Sequence, residues 1–183
     1  MYQDSTPNIF NFKDIQKTTN WYVVNDGVMG GLSEGNITIN EAGNGLFKGY
    51  VTTENNGGFS SVRYAFNKKD VSKFYNVVLK LKGDGKSYQF RIKDNSSARY
   101  SYITAFITSG EWETIKIPLN TFYPSFRGYK LNKANFSGDF MEEIAFSFII
   151  PVYNRPDEVK ELLESFKELT GNYEYEIVII EDG

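Results

Sequence analysis

From residue 9 to about residue 146 the chain alternates apolar and polar positions with a period of two, in short runs broken by turn chemistry. Asn36–Asn40 (NITIN) connects to Leu46–Thr53 (LFKGYVTT) through EAGNG, a Gly-bearing hairpin loop. In Phe59–Phe66 (FSSVRYAF), Val62, Tyr64 and Phe66 share one face, and Ser61, Arg63 and Ala65 the other. Val77–Lys82 and Tyr88–Lys93 flank GDGKS. The second of these sets Tyr88, Phe90 and Ile92 against Gln89, Arg91 and Lys93. Tyr100–Thr108 and Glu111–Leu119 follow, separated by SGE. Alternating strands with little helix predict an antiparallel β-sandwich and argue against a parallel α/β sheet.

The pattern changes near residue 146. Ser147–Val152 (SFIIPV) is a nearly continuous apolar run, as buried parallel strands are. Val159, Leu162, Leu163, Phe166 and Leu169 then recur at helical spacing behind Pro156, and Tyr175–Ile180 (YEIVII) reads as a second apolar strand. The expected organisation is therefore a sandwich over residues 1–146 and a short C-terminal β-α-β fragment over 147–183. Such a fragment cannot bury both its faces alone.

Composition narrows the chemistry. The 183 residues contain no Cys and no His, which excludes disulfide scaffolds, zinc fingers, cysteine nucleophiles and histidine-dependent triads. A carboxylate-only site for Mg²⁺ or Ca²⁺ stays open on composition, as does a binding protein with no chemistry; no catalytic residue, metal site or cofactor is assigned. Lys and Arg total 20 against 23 Asp and Glu, a net charge of −3, so no basic footprint for nucleic acid is present. No apolar run is long enough to span a bilayer, and the N-terminus lacks a secretory pattern, so a cytoplasmic location is expected. Aromatics make up 16% of the chain, which suits strands better than a helical bundle.

Trp21…VNDGVMGGLSEG, NNGGFSSVR, GDGKSYQFRI, GEW, IPL and PSFRG follow one another in a characteristic order and spacing. Together they resemble the complex I intermediate-associated protein family, 30-kDa type, over about residues 9–146. The resemblance implies a galactose-binding-like β-sandwich (a jelly roll), related in fold to carbohydrate-binding modules. It also implies a closing strand after one like Glu143–Phe146 (EIAF); here EIAF runs into SFIIPV instead, and Tyr175–Ile180 is expected to take the vacant place, with the helix crossing over outside. Mitochondrial members of the family assemble respiratory complex I, and the resemblance implies no catalytic residues. The remaining stretch, FIIPVYNRPDEVKELLESF…YEIVIIEDG, is similar to the opening of a family-2 glycosyltransferase. By that resemblance Pro151, Tyr153, Asn154 and Asp182 would lie against a nucleotide sugar. The DxD motif that holds the metal on the diphosphate is absent, so this half is not an enzyme as written.

Among the candidate site residues, Asn25, Asp26 and Ser33 lie in a Gly-dense loop, which fits either a ligand-facing loop or a tight turn that Asp26 caps. Asn56 sits in Asn-Asn-Gly-Gly, again either site or hairpin turn. The mid-strand Arg63, beside Ser61, faces either a concave sheet surface or an internal salt bridge with Asp26 or Asp84. Arg127 follows a Pro-bearing loop that would close over the same surface. GDGKS mimics a phosphate loop but lacks its leading Gly and its helix, so it reads as a hairpin turn. Trp21 and Trp112 fit either core packing or stacking on a sugar. Glu142 and Glu143, adjacent in a strand, are expected on opposite faces.

The functional expectation is a non-catalytic binding or assembly module whose partner is a protein or a glycan. Two alternatives stand beside it. One is the N-terminal part of a glycosyltransferase with an accessory sandwich, and the other is a chimaera of two reading frames joined near Phe146.

Overall fold

The computed structural model describes residues 8–15, 17–149 and 173–180. Among them lie twelve strands: β1 Trp21–Asn25, β2 Glu34–Ile39, β3 Gly45–Val51, β4 Phe59–Asp70, β5 Asn76–Lys82, β6 Ser87–Lys93, β7 Ser101–Ile107, β8 Trp112–Pro118, β9 Tyr123–Phe126, β10 Tyr129–Lys130, β11 Phe140–Ile149 and β12 Tyr173–Ile180. A seven-stranded sheet runs in the order β1-β4-β11-β6-β7-β9-β10 and a five-stranded sheet in the order β2-β3-β12-β5-β8. Every pairing is antiparallel. The expected β-sandwich is therefore the fold.

Alternation builds the core between the sheets. Trp21, Val62, Tyr64, Ile144, Phe146, Phe148, Tyr88, Phe90 and Ile92 come from the larger sheet, and Phe47, Leu79, Leu81 and Ile117 from the smaller. Phe10 and Phe12 reach in from the N-terminal segment and pack against Trp21, with ring centroids 5.3 and 5.4 Å away. Trp21 is thus a core residue. Trp112 lies 43% exposed on the edge strand β8.

Strand β12 lies between β3 and β5, with Val178 registered against both Leu46 and Lys82. The vacant place expected in the sandwich is filled by the segment expected to fill it. The crossover helix proposed for residues 157–169 lies outside the described residues.

Three local expectations are corrected. Ser147–Ile149 does not begin a parallel strand, because β11 is one continuous antiparallel strand paired with β4 and β6. It is apolar because it is central: Phe146 and Phe148 enter the core, while Ala145 and Ser147 are covered on the opposite face. The boundary expected at residues 146 and 147 falls inside this strand. GDGKS is no hairpin either, since β5 and β6 belong to different sheets and the turn carries the chain from one to the other. Asn55–Gly58 makes the same kind of passage between β3 and β4. A run of turn residues shows that the chain reverses, not which sheet it joins next. Finally, the register shifts between Met141 and Glu143, so the simple alternation expected for Glu142 and Glu143 is interrupted.

Candidate binding face

The core-facing set of the larger sheet determines what its outer face carries. With Val62 and Tyr64 inside, Ser61 and Arg63 point out; with Ile144 and Phe146 inside, Glu143, Ala145 and Ser147 point out. Registers then align a row across six strands: Tyr22 on β1, Arg63 on β4, Ala145 on β11, Arg91 on β6, Ile103 on β7 and Tyr123 on β9. A neighbouring row runs Val24, Ser61, Ser147, Gln89 and Ala105. One face therefore presents a tyrosine toward each end, two arginines flanking an alanine, and a polar row alongside.

Hydrogen bonds order this surface. The Tyr22 hydroxyl donates to Glu143 Oε2 at 2.8 Å, and Lys93 Nζ stands 4.0 Å from Glu143 Oε1. Ser147 Oγ donates to Ser61 Oγ at 2.8 Å, and both side chains are buried. Arg91 Nη2 donates to Gln89 Oε1 at 2.9 Å. At the far edge Lys130 Nζ lies 5.3 Å from the centre of the Tyr123 ring.

The electrostatics are unbalanced. The Nε atoms of Arg63 and Arg91 are both buried without a hydrogen-bond partner. Burial lowers the Arg91 pKa first, repulsion from Arg63 lowers it further, and Tyr123 opposes both; the result is about 10. Burial also raises the Tyr22 phenol, and Glu143 adds to that shift while Arg63 acts against it.

The Gly-dense loop has a different character. Asp26 is fully buried. Its carboxylate accepts from Ser33 N at 3.0 Å, Gly58 N at 2.7 Å and Phe59 N at 3.2 Å, and from the Ser33 hydroxyl. Thr52 N donates to Ser33 Oγ at 3.1 Å, so one carboxylate ties the loop after β1 to the end of β3 and the start of β4. A Cβ at Gly31 would sit 2.3 Å from Asp26 Cγ, and one at Gly57 would sit 2.8 Å from Asp26 Oδ2 and 2.4 Å from the Thr52 carbonyl. Glycine is required at both because the backbone closes tightly over the carboxylate. Burial pushes the Asp26 carboxyl up, but the Ser33 hydroxyl and the amides of Gly58, Phe59 and Ser33 outweigh it, and the group lies below the ordinary value. Of its two expected roles, Asp26 fills the turn-organising one.

Asn25 Oδ1 accepts from Ser60 Oγ at 2.7 Å, so Asn25, Asp26 and Ser33 cluster at the end of β1 and β4 nearest Ser61. The backbone of Asn56 lies in the short 3-10 turn Glu54–Asn56. Arg63 lies two residues along β4 from Ser61, on the outer face. The salt bridges expected for it are not the ones formed: Asp26 is taken up as described, and Asp84 pairs with Lys86 and accepts from Tyr88 at 2.9 Å. Arg127 is not brought to this cluster. It occupies the exposed β9–β10 turn at the opposite edge, with φ of 50° and its guanidinium 5.4 Å from the Phe126 ring centre. Pro151, Tyr153, Asn154 and Asp182 lie outside the described residues.

Tyr22, Gln89, Arg91 and Tyr123 are not singled out from sequence, and Glu143 is weighed there only as the neighbour of Glu142. Arg91 carried a usable signal, because it is one of few arginines and sits mid-strand opposite Tyr88, Phe90 and Ile92, as Arg63 sits opposite Val62 and Tyr64. Among the described residues no group of His, Cys, Asp or Glu is placed to hold a metal ion, and no helix is long and apolar enough to cross a membrane.

Solved structures share this architecture. A family 11 carbohydrate-binding module from Clostridium thermocellum, in complex with a β-1,3-1,4-mixed-linked tetrasaccharide, superposes with a TM-score of 0.57 at 18% identity, covering 92% of this chain and 89% of that one. The family 11 module of the cellulosomal cellulase Lic26A-Cel5E from the same organism gives 0.54 at 16% identity, covering 98% and 93%. At these identities the likeness is one of fold. The model of the complex I intermediate-associated protein 30 (CIA30) family matches residues 10–176, through the boundary expected at residues 146 and 147. The chain belongs to the complex I intermediate-associated protein 30 family.

Proposed function

We propose that the chain is a non-catalytic module that binds a glycan along the outer face of the seven-stranded sheet. The carrying observation is the six-strand row from Tyr22 to Tyr123, with hydrogen-bonding side chains between two aromatic rings. Sugar rings offer apolar faces that stack on aromatics and hydroxyl edges that need donors and acceptors. This face supplies both, on rigid strands rather than on loops. The shared fold of a module solved with a β-1,3-1,4-mixed-linked tetrasaccharide supports the reading.

The test is affinity electrophoresis and calorimetry against a panel of soluble polysaccharides that includes mixed-linkage β-1,3-1,4-glucan. Retardation by at least one member is expected, weakened about tenfold by Y22A or Y123A, which is roughly 1.4 kcal/mol. No interaction with any member sinks the glycan reading.

A second reading, assembly with a protein partner, rests on the family to which the chain belongs. It predicts stoichiometric capture of a respiratory-complex subunit that survives Y22A. The transferase alternative rests on residues 147–183 alone, and the family match that runs to residue 176 lends it no support.

A further inference from the structure

Arg63 and Arg91 are both registered against Ala145, one strand away on either side, and all three point from the same face. Neighbouring strands lie about 4.8 Å apart, so the two Cα atoms are roughly 10 Å apart with only a methyl group between them. Long arginine side chains span that gap readily. Each Nε is buried and unpartnered, and among the described residues neither arginine forms a salt bridge. Glu143, a carboxylate on the same face, is taken up by Tyr22 and approached by Lys93. The outward strand positions named above carry Arg63, Arg91 and Lys93 against Glu143, with Lys130 at the edge, although the chain as a whole is acidic.

Two like charges held close with buried, unsatisfied N–H groups are unfavourable in the free protein. Such an arrangement is relieved by an anion placed between them. We infer that the glycan taken by this face is acidic, and that a carboxylate of a uronic acid unit seats over Ala145 between Arg63 and Arg91. The inference rests on the glycan reading and adds the ligand's chemical class. A carboxylate has two oxygens, one for each guanidinium to meet. Tyr22 and Tyr123 flank the pair, so sugar units on either side of the acid meet an aromatic ring.

The experiment compares polygalacturonate, neutral mixed-linkage glucan and dextran sulfate by calorimetry at low and high salt, with wild type, R63Q and R91Q, each first checked for its thermal midpoint. The expected result is polygalacturonate binding at least about tenfold tighter than the neutral glucan at low salt, weakening as salt screens the pair. In R63Q and R91Q the preference collapses toward unity while the thermal midpoint is kept or raised. If the neutral glucan binds as tightly as polygalacturonate, the inference fails and the glycan reading stands. Binding of dextran sulfate at equal strength also overturns the inference, because the site is then a general anion trap. If none of the three binds, the inference is overturned, and the wider polysaccharide panel decides the glycan reading separately.

Discussion

Arg63 and Arg91 flank Ala145 on the outer face of the seven-stranded sheet, each registered against that one residue from opposite neighbouring strands. Repulsion between them contributes to holding the Arg91 pKa at about 10, behind burial as the larger cause. A folded-state pKa below the unfolded value, for a cation, means that folding is penalised while the group is charged. The penalty is fully present at neutral pH and is relieved as pH rises from about 10 toward the unfolded value.

Arg91→Met should therefore stabilise the free protein by about 1–2 kcal/mol, raising Tm by roughly 2–8 °C. Its advantage over wild type should shrink above pH 10. Thermal melts of both proteins from pH 7 to pH 11 check this, and a variant less stable at pH 7 contradicts it.

Asp26→Asn should destabilise the protein by roughly 2–4 kcal/mol, because an amide offers one acceptor where four donors converge and adds its own N–H groups. The folded carboxyl lies below its unfolded value, so its contribution is present above about pH 4 and is lost as pH falls through the folded value. The gap between wild type and D26N should accordingly narrow in acid. Urea titrations at pH 7 and pH 3 measure it; an unchanged gap would mean that the charge is not what organises the loop.

Tyr22→Phe removes the donor to Glu143 Oε2 while keeping the ring. A loss of about 1–2 kcal/mol in stability is expected, with glycan affinity changed less than threefold, whereas Y22A should weaken binding about tenfold. Equal binding losses in the two variants would show that the hydroxyl, not the ring, is what the ligand meets.

Val178→Pro places a residue without an N–H where β12 is registered with both β3 and β5. In the middle of a sheet this costs about 3 kcal/mol or more. Hydrogen exchange should show lost protection at Leu46 and Leu81 as well as along β12. Protection confined to wild-type levels in both flanking strands would remove β12 from the sheet.

Much of this protein follows from local patterning. Period-two alternation located the strands, assigned Val62, Tyr64, Tyr88, Phe90 and Ile92 to one side, and predicted an antiparallel sandwich, because side chains on a pleated strand alternate whatever the strand's neighbours are. That a closing strand was wanting came from the family resemblance, and the apolar run Tyr175–Ile180 was the segment left to supply it; it does so between β3 and β5. What alternation cannot state is which strands become neighbours. The turns GDGKS and Asn55–Gly58 look like hairpins locally, yet each passes the chain between sheets, a choice made by how the aromatic cores of two sheets fit together. Asp26 could be read as site or turn until the backbone around Gly31 and Gly57 closed over it. The outer-face row exists only in the folded protein. Tyr22, Arg63, Arg91, Tyr123 and Ala145 are scattered over more than a hundred residues, and cross-strand register alone, fixed by the core on the sheet's other side, brings two arginines to flank a single methyl group.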